Sequence, residues 1–147
     1  MRRGAGSMGR HQQQRGFTLI ELLVALVILG LLVGLVGPRV MKYVGGAKSD
    51  TTRIQIEDMV TALDMYSLEV GHYPSQNQGL ESLIMEPSGV DGWNGPYLRK
   101  QVVPKDPWGQ EYHYRHPGEH GPFDIFSYGA DNSPGGEKDN ADIGSWE

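Results

Sequence analysis

One carboxylate stands inside the longest apolar run of the chain: Glu21, in Phe17-Thr18-Leu19-Ile20-Glu21-Leu22-Leu23-Val24. A carboxylate at that depth in hydrocarbon costs on the order of 2 to 3 kcal/mol on insertion scales, so it calls for a cationic partner. The preceding residues supply one if the chain is cut. Arg15-Gly16 closes a basic segment and Phe17 opens the apolar run. Cleavage between Gly16 and Phe17 leaves the α-amine of Phe17 about one helical turn from Glu21. In a helical assembly the amine of one chain meets Glu21 of the next. That contact neutralises both charges in lipid and sets the axial register.

A second concentration of oxygen donors lies near the other end. Residues 128–142 hold Asp131, Asn132, Ser133, Glu137, Asp139, Asn140 and Asp142 in a glycine-rich loop. Carboxylates and carbonyls of this kind suit a hard cation. Ca²⁺ accepts six to eight oxygens at about 2.3–2.6 Å in irregular geometry, whereas Mg²⁺ demands tighter octahedral order. Zn²⁺ would want His or Cys, which the loop lacks. A bound ion would tie down the C-terminal segment and add its binding energy to folding. The same residues also read as a solvated acidic loop without metal, and the residues alone leave both readings open.

Other chemistry is thin. His113, His116 and His120 are close in sequence, but their spacing does not make their rings converge on a transition metal. No nucleophile with a base at a recognised spacing occurs, nor a phosphate-cradling glycine loop opening a helix. An enzyme is not expected. There are no cysteines, which removes disulfides, thiolate metal sites and Cys nucleophiles together.

The charge pattern excludes a further class. The first sixteen residues carry Arg2, Arg3, Arg10 and Arg15 and no acid. The remaining nine Lys and Arg face 18 acids. A body this acidic is a poor match for nucleic acid, whose phosphates select Lys and Arg.

The elements that position these groups follow from periodicity. Residues 17–36 are apolar apart from Thr18 and Glu21. As a helix they span roughly 30 Å, the thickness of a hydrocarbon core. The leader arginines favour a cytoplasmic N-terminus, although Arg39, Lys42 and Lys48 beyond the run counter part of that bias. A secretory signal peptide fits less well, because the run is about twice the usual length and no small-x-small cleavage site follows. Beyond Gly46 an amphipathic helix resumes, with Ile56, Val60, Leu63, Ser67 and Val70 on one face and Met59 and Tyr66 beside them. Gly71 is the expected stop, and Pro38 is expected to bend or loosen the junction between the halves. A short helix over residues 78–85 should turn Leu80, Leu83 and Ile84 inward. Residues 111–115 and 123–128 alternate as strands and should pair as an antiparallel hairpin across residues 117–122.

The run Gly16-Phe17-Thr18-Leu19-Ile20-Glu21-Leu22-Leu23-Val24 resembles the prepilin class of type IV pilins and pseudopilins. That resemblance implies cleavage after Gly16 by a membrane prepilin peptidase, N-methylation of Phe17 and assembly through helix bundling. Further blocks are similar to the major pseudopilin family of the type II secretion system. They are residues 71–80, Trp93-Asn94-Gly95-Pro96-Tyr97-Leu98, Pro104-Lys105-Asp106-Pro107-Trp108-Gly109, residues 123–131 and Ala141-Asp142-Ile143-Gly144-Ser145-Trp146. The lack of cysteine agrees, since type IVa pilins typically close a C-terminal loop with a disulfide.

The family resemblance implies an α+β, pilin-like fold. A long N-terminal helix, half membrane and half amphipathic, packs on a small antiparallel sheet with a C-terminal calcium loop. It divides the chain into a leader (1–16), a transmembrane and assembly helix (17–37) and a periplasmic head (38–147). For Ca²⁺ it implies the side chains of Asp131 and Asp142, with the carbonyls of Tyr128 and Ser133. Where some members carry paired acids, this chain reads Ala141-Asp142, and Asp139 is the candidate for the vacant place. The implied function is the major subunit of an inner-membrane-derived periplasmic filament, a homopolymer that helps push folded proteins through an outer-membrane channel. Its implied partners are minor pseudopilins and the inner-membrane secretion platform, with energy from a separate cytoplasmic ATPase. A type IV pilin or minor pseudopilin is the alternative. A membrane-anchored enzyme or binding protein would need a catalytic-looking polar cluster in the head.

Overall fold

The computed structural model describes residues 16–147, so all of the leader except Gly16 lies outside the described residues. The chain divides into two compact units, one reaching Arg39 and one running from Val40 to Glu147, and each is described by itself. Helix α1 (Leu19–Val70) contributes to both.

In the first unit the large apolar side chains of α1 are exposed. Leu19 is 89% exposed, and Leu22, Leu26, Leu29 and Val33 are likewise exposed. The stretch is long and apolar enough to cross a membrane. Pro38 lies inside the helical span rather than ending it, although it has no N–H for the ladder. The long helix expected from sequence is one element, Leu19–Val70, and the boundary between the units falls just after that proline.

The second unit folds around the rest of α1. Ile56, Met59, Ala62, Leu63 and Tyr66 are buried, while Val60 and Val70 are only partly covered. The buried stripe is therefore centred on Met59, Leu63 and Tyr66, slightly round the helix from the face that periodicity alone selects. Gly71 ends the helix as expected, with φ at +91° and its N–H donating to the Ser67 carbonyl at 2.8 Å. That left-handed conformation strains any residue with a Cβ, so glycine belongs there.

The segment after α1 forms a 3₁₀ turn at Leu80–Leu83, shorter than the expected helix, with Leu80, Ser82 and Leu83 buried. Strands β1 (His113–Arg115) and β2 (Asp124–Ser127) pair antiparallel as the hairpin reading requires, with Tyr114 opposite Ile125. A third strand, β3 (Ile143–Gly144), adds to the other edge of β2. It is too short to show alternation in sequence. All four residues of β2 are buried, not just one face. Ile125 joins the core with α1, and Phe126 is covered on the other side by His113 and Trp146. The outer edge of β1 is capped by Gln76, whose amide donates to the Tyr114 carbonyl at 2.8 Å and accepts the His116 N–H at 2.9 Å.

Candidate functional site: the apolar helix and the C-terminal loop

The first candidate group is Glu21 and the residues before it. Thr18 precedes the first helical residue, and its carbonyl accepts the Leu22 N–H at 3.2 Å. The Thr18 hydroxyl accepts the Glu21 N–H at 3.3 Å, and the Glu21 carboxylate accepts the Thr18 N–H at 3.5 Å. This reciprocal pair is a capping box, and it satisfies two N–H groups that the helix start leaves without partners. Glu21 therefore has a local role as well as the intermolecular one read from its depth in the apolar run. Gly16, Phe17 and Glu21 are all exposed.

The second group is the C-terminal loop. It opens with a 3₁₀ turn at Gly129–Asp131, which ends on Asn132 in the left-handed conformation, and contains another at Lys138–Asn140. The Asp131 carboxylate accepts the Ser133 N–H at 3.2 Å, and both oxygens of Asp142 accept the Gly135 N–H at 3.0 Å. These bonds shape the loop and leave other carboxylate lone pairs open, since each carboxylate offers about four. The backbone closes tightly as well. A Cβ on Gly129 would lie 2.6 Å from the Asp139 carbonyl oxygen and 3.0 Å from that of Ala141. Gly129 thus admits a close approach of two carbonyls that a side chain would block.

A donor set made only of carboxylate and carbonyl oxygens fits the chemistry of Ca²⁺ and not that of Zn²⁺. The five residues singled out from sequence do not all converge through side chains. Asp131 and Asp142 bracket the loop, while the Asp139 carboxylate lies against Gly45 of α1. Among the described residues no group of three His, Cys, Asp or Glu side chains is arranged to hold a metal.

The three hairpin histidines separate. His113 stacks on Phe126, His116 on Tyr114 and His120 on Trp146. Each ring has its own aromatic neighbour, which accounts for them as packing residues.

Two buried carboxylates brace the loops around the sheet, and sequence reading passes over both. Asp106 accepts the Trp108 and Gln110 N–H groups at 3.0 and 2.8 Å and the Ser127 hydroxyl at 2.6 Å. Ser127 in turn accepts the Gly129 N–H at 3.1 Å, so the network reaches the start of the C-terminal loop. Asp124 accepts the backbone N–H groups of Glu119 and His120 at 2.7 and 3.2 Å, and meets the His120 ring at 3.3 Å. Burial by itself would raise the Asp124 pKa, but these bonds favour the ionised form and hold it below the usual carboxylate range. The available sign for Asp106 was Asp-Pro-Trp-Gly, a side chain placed to bond the backbone two residues on.

With the helix start and loop in view, the comparisons with known proteins decide the family. Residues 39–146 match the family described as type II secretion system (T2SS), protein G, and residues 11–37 match the prokaryotic N-terminal methylation motif. The chain belongs to the type II secretion system protein G family. It is 47% identical to the type II secretion system core protein G of Pseudomonas aeruginosa over 142 residues, covering 94% of this chain and 99% of that one. The core protein G of Vibrio cholerae is 41% identical over 142 residues, covering 95% and 96%. The crystal structure of the major pseudopilin from the type 2 secretion system of enterohaemorrhagic Escherichia coli superposes with a TM-score of 0.63 at 33% identity. That match covers 72% of this chain and 88% of the other. Protein G is thus a structural pseudopilin family, and the fold expected from sequence, a long N-terminal helix with a small antiparallel sheet, is the fold observed.

Proposed function

We propose that this chain is the major structural subunit of a type II secretion pseudopilus. It is made as a precursor, cut between Gly16 and Phe17 by a prepilin peptidase and methylated on Phe17. It sits in the inner membrane as a single-pass protein with its C-terminal head in the periplasm. Assembly then transfers the apolar helix from lipid into the core of a homopolymer, which minor pseudopilins and an inner-membrane platform organise. The growing filament helps move folded proteins across the outer membrane.

The observation that carries this reading is the contrast within α1. Its first unit leaves a continuous run of large apolar side chains without cover and places one carboxylate, Glu21, at its start. A bundle of such helices buries the apolar surface, and the Phe17 amine of a neighbour answers Glu21. Cutting after Gly16 frees that amine while leaving the Thr18 cap in the mature chain. The helix start is thus compatible with both the precursor and the subunit.

In the head, Ca²⁺ would be held by the carboxylates of Asp131 and Asp142 and by the carbonyls of Tyr128 and Ser133, while the Asp139 carboxylate, the fifth candidate from sequence, lies against Gly45 instead. When bound, the ion supplies a cross-link that a cysteine-free loop otherwise lacks. The residues themselves shape the loop: Gly129 admits the close approach of the Asp139 and Ala141 carbonyls, and Asp106 with Ser127 fixes where the loop begins.

The test is filament formation by the full chain and by Glu21→Leu in cells carrying the rest of the secretion machinery. The wild-type chain should give filaments that can be sheared and pelleted. Glu21→Leu should insert into the membrane and give none. Equal filament yield from both would overturn the role given to Glu21, and a wild-type chain that stays monomeric would overturn the assembly reading.

A further inference from the structure

Helix α1 contains Gly30, Gly34, Gly37, Gly45 and Gly46, and they are not equivalent. A Cβ built on Gly30, Gly34, Gly37 or Gly46 would meet nothing within 4 Å. On Gly45 it would overlap the Asp139 carboxylate, with both oxygens and the carboxyl carbon in its path. Gly45 is correspondingly buried, whereas Val44 and Gly46 on either side are exposed. Glycine is unfavourable in a helix interior relative to alanine. Here its bare backbone is what lets a distant side chain reach the helix surface.

Asp139 is exposed, and its backbone is what the loop holds in place. It lies in the 3₁₀ turn Lys138–Asn140, closed by the Ala141 N–H on the Lys138 carbonyl at 3.2 Å. Its own carbonyl lies against Gly129 at the start of the loop. The turns of α1 that follow Gly45 are gripped too. The Lys48 ammonium stands 5.8 Å from the centre of the Trp108 ring, and Arg53 pairs with Glu147 at 2.9 Å. Glu147 and Asp139 both belong to the C-terminal segment, so this segment touches the helix at two places.

We infer that Asp139 is a docking residue: its carboxylate seats the C-terminal loop on α1 through the bare backbone of Gly45, so that ordering the loop also fixes this turn of the helix. Its side chain then faces the helix and not the cation. The loop backbone would carry the effect of an ion to α1, and by linkage a fixed helix would favour the ordered, ion-binding loop. The part of the inference that involves the ion rests on the calcium reading above, whereas the dock stands without it.

The test uses the full chain in detergent micelles with two readouts, amide hydrogen exchange over residues 45–50 and a Ca²⁺ titration. Asp139→Ala should speed exchange there roughly tenfold, as expected for a local opening released from one tether. Gly45→Ala should do the same by evicting the carboxylate. In the Asp139→Ala background, Gly45→Ala should instead slow exchange, because only the better helix propensity of alanine remains. Asp139→Asn keeps the shape and should exchange as wild type, with Ca²⁺ affinity unchanged within about threefold, since no ligand is lost. The dock is overturned if Gly45→Ala slows exchange with Asp139 present, or if Asp139→Ala leaves exchange unchanged. Loss of Ca²⁺ binding in Asp139→Asn would make Asp139 a ligand and overturn the assignment. If the wild-type chain binds no Ca²⁺, the calcium reading fails while the exchange experiment still decides the dock.

Discussion

The two parts of α1 obey opposite rules. Up to Arg39, Leu19, Leu22, Leu26 and Leu29 are exposed and the only ionisable side chain in the apolar run caps the helix from within. Beyond Gly46 the same helix buries Met59, Leu63 and Tyr66 to zero exposure, and its polar neighbours are tied to the sheet and loops. The head has the contacts to hold itself together. The apolar stretch does not, and its burial must come from lipid or from other copies. A helix can therefore serve one protein as an unfinished surface at one end and a finished core element at the other.

That comparison can be broken most severely in the head core. Leu63→Ala should cost about 2 to 5 kcal/mol, a large part of a small domain's stability, and thermal unfolding should show it as a much lower Tm. The same truncation at exposed Leu26 should leave the Tm of the head unchanged. If Leu26→Ala lowers it as much as Leu63→Ala does, the two regions are not independent.

Removing divalent cations should come next in size. If Ca²⁺ is near 100 times its Kd, chelation withdraws about 2.7 kcal/mol from the folded head. Melting with and without chelator measures this, and an unchanged Tm would argue that the loop is closed by its hydrogen bonds alone.

Asp124→Ala should cost about 1 to 3 kcal/mol, because the Glu119 and His120 N–H groups lose their buried acceptor. The pH dependence has a definite sign. The folded-state pKa of Asp124 is depressed, so its contribution is full above the ordinary carboxylate range and disappears as pH falls through the folded value. Melting curves from neutral to acid pH should therefore fall less steeply for Asp124→Asn than for wild type. The smallest effect should come from Gly71→Ala, where a Cβ at φ +91° costs about 1 kcal/mol and α1 frays at its last turn. Hydrogen exchange at residues 67–70 reads that directly.

How much was legible in sequence follows the same division. The apolar run, the stop at Gly71 and the hairpin are local patterns, and each appears close to where periodicity and turn residues place it. The Thr18–Glu21 cap is also a local pattern, a Thr-x-x-Glu spacing before an apolar run. What sequence conceals is whatever depends on distant partners. Asp106 and Asp124 look like other acids until Ser127 and the hairpin loop close over them. The fully buried β2 depends on Trp146 and His113 covering the face that alternation assigns to solvent. The core stripe of α1 shifts toward Met59 and Tyr66 because the sheet and the segment after the helix approach from that side. The contact of Asp139 with Gly45 joins opposite ends of the head, and no spacing rule anticipates it.

The proposed assembly depends on a cut between Gly16 and Phe17, which frees the amine that answers Glu21 of a neighbouring subunit. Intact-mass and N-terminal analysis of the protein taken from its native membrane tests this most directly. The account predicts a mature chain beginning at Phe17 and carrying one added methyl group on its amine. A chain that keeps Met1, or one cut beyond the apolar run, would contradict it.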